Sequence, residues 1–521
     1  MSSTTPSPRT LKVPLVNVYA KGGYSAQLRF GAQKQPLNLI LDTGSSTLVV
    51  SGSDYVEEND SALTPTSFAQ EVLYGIGGWD GPVVYTRVGI REDEIDFDIH
   101  DAHVPYAHNP IVLAQCPVAV VSSLQQETSF ADADGILGLA YHSLNKAYDL
   151  KDYFNHYGIV PALTYPWPFD EEIHLCSQHF SPIISDEGQH LVGDNTTLDE
   201  HNWHQQSEGS FNSDDLRQFK RFLKRQPTSD LSPYFNALTQ QGLTQNKFAF
   251  YGQRSSIHVA SHEVITANSA NEFAFLGQDP LNQGWLILGG GEEHTELYQG
   301  EFKTICVTEN KYYNVHLIGL AIGDNPMIES QLTQSLQSTP SPQDVESLAQ
   351  SNQHTHGVTI NSKMRGQSNA IVDTGASAIV LTEYLFEQMK VQLKAINPQF
   401  IDLIDPFGEI AFQQQGIDMS QLQLQDWPDL HFIFVGQANA VDNQAEQICL
   451  TVTAEHYWQI NSPAPEKACF KILSQLPGWP DQSILGLPLM SGYYVIFDRS
   501  AYQKGIIRFA QQKRAPTLET Y

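Results

Sequence analysis

Two aspartates each close an apolar run and are followed by Thr-Gly: Asp42 in LNLILDTGSSTLVV and Asp373 in SNAIVDTGASAIVL. An aspartate at the end of a strand, followed by Thr-Gly, predicts a tight turn whose glycine lets backbone groups approach the carboxylate closely. A single copy is most simply a capped turn. Two copies in matching apolar surroundings point instead to an internal repeat and two related halves. If those halves meet about a pseudo-twofold axis, Asp42 and Asp373 come within hydrogen-bonding distance. Like charges so close do not both ionise, so the pair keeps one proton between them. One carboxyl then acts as base and the other as acid, and a water between them can be activated for hydrolysis without a covalent intermediate.

The elements that must carry these turns repeat as well. ADGILGLA, with Ile136, Leu137 and Gly138, follows the first motif, and DQSILGLPL, with Ile484, Leu485 and Gly486, follows the second. YSAQLRFG, GPVVYTRVGI, KFAFYG, GWLILGG, DLHFIFVG and YYVIFD read as short strands ended by turn residues, while TEYLFEQMKVQLKAI is the clearest helix. The fold class expected is mainly β. A chain of 521 residues suits two lobes, here 11–300 and 301–514. Polar segments at about 145–235 and about 324–362 read as insertions outside the catalytic core.

Acidic residues outnumber basic ones 58 to 29, giving a formal net charge of −29, which disfavours a phosphate-tracking surface and a nucleic-acid partner. No apolar stretch is long enough to cross a bilayer, and the start MSSTTPSPRTLKVP lacks the apolar centre of a secretory signal. A soluble, cytoplasmic protein with no membrane partner is expected. The short polar start also leaves little chain ahead of Asp42 to form a cleft-filling propeptide, so none is expected. Five cysteines are too few and too odd in number for a disulfide framework. His201 with His204, and His354 with His356, lack a convincing third and fourth ligand and read as solvated side chains, so no metal site is assigned. LILGGGEEH lacks the Lys-Ser/Thr completion of a phosphate loop. No cofactor is called for.

The paired D-T-G motifs, each with its own later Ile-Leu-Gly, resemble the pepsin family of aspartic endopeptidases, including its bacterial homologues. In that family the active-site aspartates occupy D-T-G-S and D-T-G-T or D-T-G-A motifs backed by a hydrophobic-hydrophobic-Gly element. The resemblance implies a bilobal acid-protease fold with a cleft between two β lobes, and Asp42 and Asp373 as the catalytic pair. It implies supporting roles for Thr43, Gly44, Ser45, Thr374, Gly375 and Ala376, with the Ser45 hydroxyl bonded to the first aspartate. LYGIGGWDG looks like the family's flap, with Tyr74 and Gly75 at the matching positions. Polypeptide substrates with hydrophobic residues beside the scissile bond, binding of pepstatin-type inhibitors and a monomeric state follow by the same resemblance. Cys449 and Cys469 stand where many relatives have a disulfide, and two reduced thiols are an equal alternative.

Departures from the pattern carry expectations too. Val49 replaces a tryptophan that commonly supports the flap tyrosine, with Trp79 as a candidate substitute. Ala376 replaces a threonine or serine whose hydroxyl can bond the second aspartate, so the dyad should titrate higher and activity should reach further towards neutral pH. A catalytically silent, peptide-binding member of the family is the main alternative, and retention of Asp42, Asp373 and Tyr74 weighs against it.

Overall fold

Along Leu11–Ala20 the residues Leu11, Val13 and Leu15 are buried while Lys12 and Pro14 face outward, the period-two alternation of a strand with one side on a core. The structure, a computed structural model, describes residues 10–55, 60–74, 77–90, 111–121, 130–156, 158, 160–165, 223–260, 269–337, 360, 364–438 and 445–513. Every segment read above as a strand is one: Gly23–Phe30, Gly77–Ile90, Lys247–Gly252, Gln283–Leu288, Leu430–Ala438 and Tyr493–Asp498. Glu383–Ile396 is the expected helix, with the Thr382 hydroxyl accepting from the Leu385 amide at its start and Leu385, Met389 and Leu393 on its buried face. Among the described residues no helix is long and apolar enough to cross a membrane.

The halves share a sheet. Leu11–Ala20 pairs with Gln283–Leu288, that strand with Lys247–Gly252, and Lys247–Gly252 with Tyr493–Asp498 of the second half. Phe248 stacks on Phe497 across this join, ring centroids 4.9 Å apart, and Tyr313 packs edge-on against Phe497 at 4.6 Å. Such aromatic contacts add to area burial and resist sliding of one half past the other.

Each aspartate hangs from the same arrangement of strands. In the first half Gln35–Asp42 runs parallel to Gly135–Gly138, which pairs antiparallel with Leu48–Ser51, and that strand runs parallel to Ile111–Val121. In the second, Ala370–Val372 runs parallel to Ser483–Leu485, which pairs antiparallel with Ile379–Leu381, and that strand runs parallel to Ile472–Ser474. The two Ile-Leu-Gly elements are therefore the central strands behind the D-T-G turns. Gly138 and Gly486 leave no room for a side chain: a Cβ would lie 2.5 Å from Ser46 C and 2.2 Å from Ala378 O.

The segments read as insertions are anchored at their described ends. Lys146–Asp149 pairs with both Thr64–Tyr74 and Thr228–Asp230, and Asn145 Oδ1 accepts from Thr47 Oγ1 and Gln70 Nε2. In the second segment Ile328 and Thr333 are buried, and Ser330 Oγ accepts from Asn369 Nδ2 at 2.9 Å. Polar composition hid these contacts because the anchors are themselves small polar residues. His201, His204, His354 and His356 lie outside the described residues.

Thr333 also covers His316, whose Nε2 lies 3.0 Å from the Thr333 hydroxyl and which has no exposed surface. Burial pushes this imidazole down to about 4. The unfolded chain takes up a proton near pH 6.5 that the folded chain refuses, so stability is fully present above 6.5 and falls as pH drops towards 4. The loss is on the order of 3 kcal/mol. In a His316→Gln variant, Tm should change less than in wild type between pH 6.5 and 4; parallel curves would show that His316 does not titrate in this way.

Candidate active site

Asp42 ends its strand opposite Gly138, and Asp373 follows Val372, which stands opposite Leu485. Gly44 N donates to Asp42 Oδ1 at 2.7 Å and Gly375 N to Asp373 Oδ1 at 2.8 Å, so each carboxyl is oriented by its own turn. The threonines bind the turns to each other. Thr43 Oγ1 accepts from Thr374 N at 2.9 Å and donates to Val372 O at 2.8 Å, while Thr374 Oγ1 accepts from Thr43 N at 3.1 Å and donates to Leu41 O at 2.9 Å. These buried, reciprocal bonds bring the turns together with near-twofold symmetry, and the Asp42 and Asp373 side chains are hydrogen-bonded to one another. Burial, then the charge of Asp42, holds the Asp373 carboxyl well above the ordinary carboxylate range, against the opposing pull of the Gly375 and Gly44 amides.

The glycines of the motifs are required by space. A Cβ on Gly44 would lie 2.6 Å from Asp373 Oδ2, and one on Gly375 would lie 2.6 Å from Asp42 Oδ1. Gly375→Ala should therefore push the carboxyls apart and lower kcat/KM by about 100-fold. Because Gly375 is exposed, the Tm of the variant should stay within about two degrees of wild type. An unchanged kcat/KM would mean that the Asp42 carboxyl does not work from this position.

Residues 330–512, which include Asp373 and the second Ile-Leu-Gly, match the family described as eukaryotic aspartyl protease. The chain carries a pepsin-like aspartyl protease domain. Its enzyme class is aspartic endopeptidase. No curated protein matches the chain. The first D-T-G lies outside the matched residues and is joined to the protease domain by the threonine bonds and the repeated strand pairing.

Around the carboxyl pair several expectations need correction. Ser45 is buried, yet its hydroxyl has no partner among the described residues and makes no bond to Asp42. The turn is held instead through the Ser45 carbonyl, which accepts from Ala140 N at 2.7 Å, while Asp42 Oδ1 is taken by Gly44 N. Ala376 is likewise held by its backbone, its carbonyl accepting from Leu487 N at 2.8 Å. Val49 is fully buried with Val83, Ala119 and Ile136, so its side chain belongs to the core. The expected flap is an antiparallel hairpin of Thr64–Tyr74 and Gly77–Ile90, with Tyr74 opposite Gly77 at its tip. Gly75 and the side chains of Tyr74 and Trp79 lie outside the described residues.

Cys449 and Cys469 are free thiols. Cys449 lies opposite Ile433 in the hairpin of Leu430–Ala438 and Ala445–Val452. Cys469 lies in a separate sheet of Ile417–Asp418, Lys467–Phe470 and Trp458–Ile460, where its thiol donates to Gln413 O at 3.3 Å. Burial raises both thiols, the state of inert cysteines.

Two further groups were not singled out from the sequence. Tyr312 is half-buried beside the dyad, its phenol raised by burial and by the charges of Asp42 and Asp373, so it stays a neutral donor. Arg499 is 8% exposed and reaches both aspartate turns at once. Its guanidinium donates to Leu139 O, to Ala140 O at 2.9 Å, to Tyr313 Oη at 2.7 Å and to Asn236 Oδ1 at 2.8 Å. Leu139 N donates in turn to Asp42 O at 2.7 Å, and Tyr313 O accepts from Val372 N at 3.1 Å, next to Asp373. The rings of Tyr141, Phe235 and Tyr313 lie 4.6, 5.0 and 5.5 Å from the Arg499 carbon. An arginine in an FDR turn gives no local sign of this role, since its partners come from remote parts of the chain.

Proposed function

We propose that Asp42 and Asp373 hydrolyse peptide bonds in extended polypeptides by activating one water between them. The observation that carries this reading is the hydrogen-bonded carboxyl pair formed where the two D-T-G turns cross-bond through Thr43 and Thr374. One shared proton leaves one carboxylate to take a proton from water as the oxygen attacks the carbonyl carbon, while the protonated partner donates to the carbonyl oxygen. The tetrahedral intermediate then collapses, the amine leaves with a proton from the dyad, and the starting protonation state returns. No covalent enzyme intermediate forms.

Tyr74 on the flap orients the peptide from above, Tyr312 offers a neutral donor beside the dyad, and apolar side chains are preferred next to the scissile bond. Incubating the protein with an unfolded polypeptide from acid to neutral pH and sequencing the products tests this reading. Internal cuts flanked by apolar residues are expected; removal of single residues from one end, or no cleavage at any pH, would contradict it.

A further inference from the structure

The net charge is strongly negative, yet besides Arg499 two further cations, Arg254 and Lys471, are buried where strands of the two halves meet. Residues 253–260, after the strand Lys247–Gly252, lie as a strap between hairpins of the two lobes. On the first-lobe side Tyr24 Oη accepts from Gln253 N at 2.8 Å and Arg254 N at 3.2 Å, Asn17 Nδ2 donates to Ser256 O at 3.1 Å, and a Cβ on Gly22 would lie 2.5 Å from Ser255 O. On the second-lobe side Gln459 Oε1 accepts from Ser255 N at 3.2 Å and Ser256 Oγ at 3.4 Å, the Arg254 guanidinium donates to Ile460 O, and Val259 N donates to Asn461 O at 2.9 Å.

The strand register places a second cation against this strap. Gln459 stands opposite Cys469, and the ladder continues with Lys471 N donating to Tyr457 O at 2.8 Å. With side chains alternating along a strand, Lys471 lies on the same face as Cys469 and Gln459, the face on which the strap rests. Arg254 and Lys471 are each 8% exposed, and Ser255 is fully buried. Among the described residues Arg254 Nε and Ser255 Oγ are buried without a hydrogen-bond partner. Asp279 is engaged by His258 Nδ1 at 2.6 Å and Leu281 N at 2.9 Å, and its charge also acts on Arg254. Burial pulls the Lys471 ammonium down, the Arg254 charge adds to that pull, and burial brings Arg254 itself to about 10. The two neighbouring cations thus face one carboxylate, Asp279, which His258 also engages; charge left over in a buried setting is costly, and a further anion would offset it.

We propose that Arg254, Ser255 and Lys471 bind an oxyanion, a carboxylate or phosphate, at the junction of the lobes. The guanidinium and ammonium supply charge-assisted donors and the serine hydroxyl a neutral one. Lys471 O accepts from Ile379 N at 2.9 Å, on the strand that leaves the Asp373 turn, which ties the backbone of the lysine to that turn. An acidic side chain of the substrate and a free anion are the two sources of the same chemistry. The first rests on the proteolytic reading above.

Two arms separate the sources. In the first, Tm of the whole protein is measured in inorganic phosphate and in chloride at matched ionic strength and pH. A free-anion site predicts a rise of about three degrees or more in phosphate, lost in Lys471→Met and weakened in Ser255→Ala. Lys471→Met should also be more stable than wild type in chloride, because it removes a buried charge. In the second arm kcat/KM is compared for peptide pairs with Glu or Gln at one position at a time on either side of the cut. A substrate site predicts about a tenfold preference for Glu at one position, abolished in Lys471→Met and turned towards Lys in Lys471→Glu. A response in either arm that depends on Lys471 supports the oxyanion site and identifies its source; no such response in either overturns it. Absence of hydrolysis would sink the dyad reading alone, leaving the phosphate arm to decide the oxyanion site.

Discussion

Asp42→Asn and Asp373→Asn are each expected to lower kcat/KM by about 10⁴-fold or more while leaving the fold intact. An amide neither accepts the proton from water nor donates the shared one. The fold should stand because the turns are joined by Thr43 and Thr374, and the carboxyls contribute none of those bonds. Stability supplies a readout separate from activity. Asp373 is raised well above the ordinary range, so the folded state resists its ionisation. That contribution is fully present below the unfolded carboxyl pKa, near 4, and is lost as pH rises towards the folded one. Asp373→Asn removes the titration, so the variant should gain Tm relative to wild type on going from pH 4 to pH 7. Substantial activity in either variant, or a Tm difference that does not change with pH, would count against a coupled pair.

Arg499→Met should have the second-largest effect, this time on fold and activity together. It strips donors from Leu139 O, Ala140 O, Tyr313 Oη and Asn236 Oδ1, all within a buried cluster, and a loss on the order of 3 kcal/mol or more is expected. The same groups reach Asp42 through Leu139 and Val372 through Tyr313, so loosening them should misplace both turns. Tyr313→Phe isolates that linkage. It keeps the ring against Phe497 but removes the hydroxyl that donates to Leu139 O and accepts from Arg499. About a tenfold loss in kcat, with KM nearly unchanged and a smaller fall in Tm, is the expected pattern. Wild-type kcat in both variants, measured below their melting temperatures, would reduce Arg499 to a packing residue.

Much of the strand content and the dyad was legible in the sequence, because both are written locally. Alternation in GYSAQLRF and the apolar runs before Asp42 and Asp373 encode strands, and Thr-Gly after each aspartate encodes a turn. The repeat made the pairing of the turns an inference about symmetry, and the reciprocal bonds of Thr43 and Thr374 are its physical form. What local pattern hides is choice of partner. Thr333 sits in a glutamine- and serine-rich run that reads as a surface loop, but it is buried against His316. Ser45 has the right type and position to bond Asp42, yet the turn engages its carbonyl and leaves the hydroxyl pointing elsewhere. Cys449 and Cys469 are near in sequence but were assigned to different sheets by folding, and spacing carries no record of that division.

The central claim is that one chain supplies both halves of one proteolytic site, and titration of activity with pepstatin tests it most directly. A transition-state mimic held by the Asp42–Asp373 pair should abolish hydrolysis of an unfolded polypeptide at one equivalent of inhibitor per chain. An end point at half an equivalent would place one site between two chains, and full activity in saturating pepstatin would contradict the dyad.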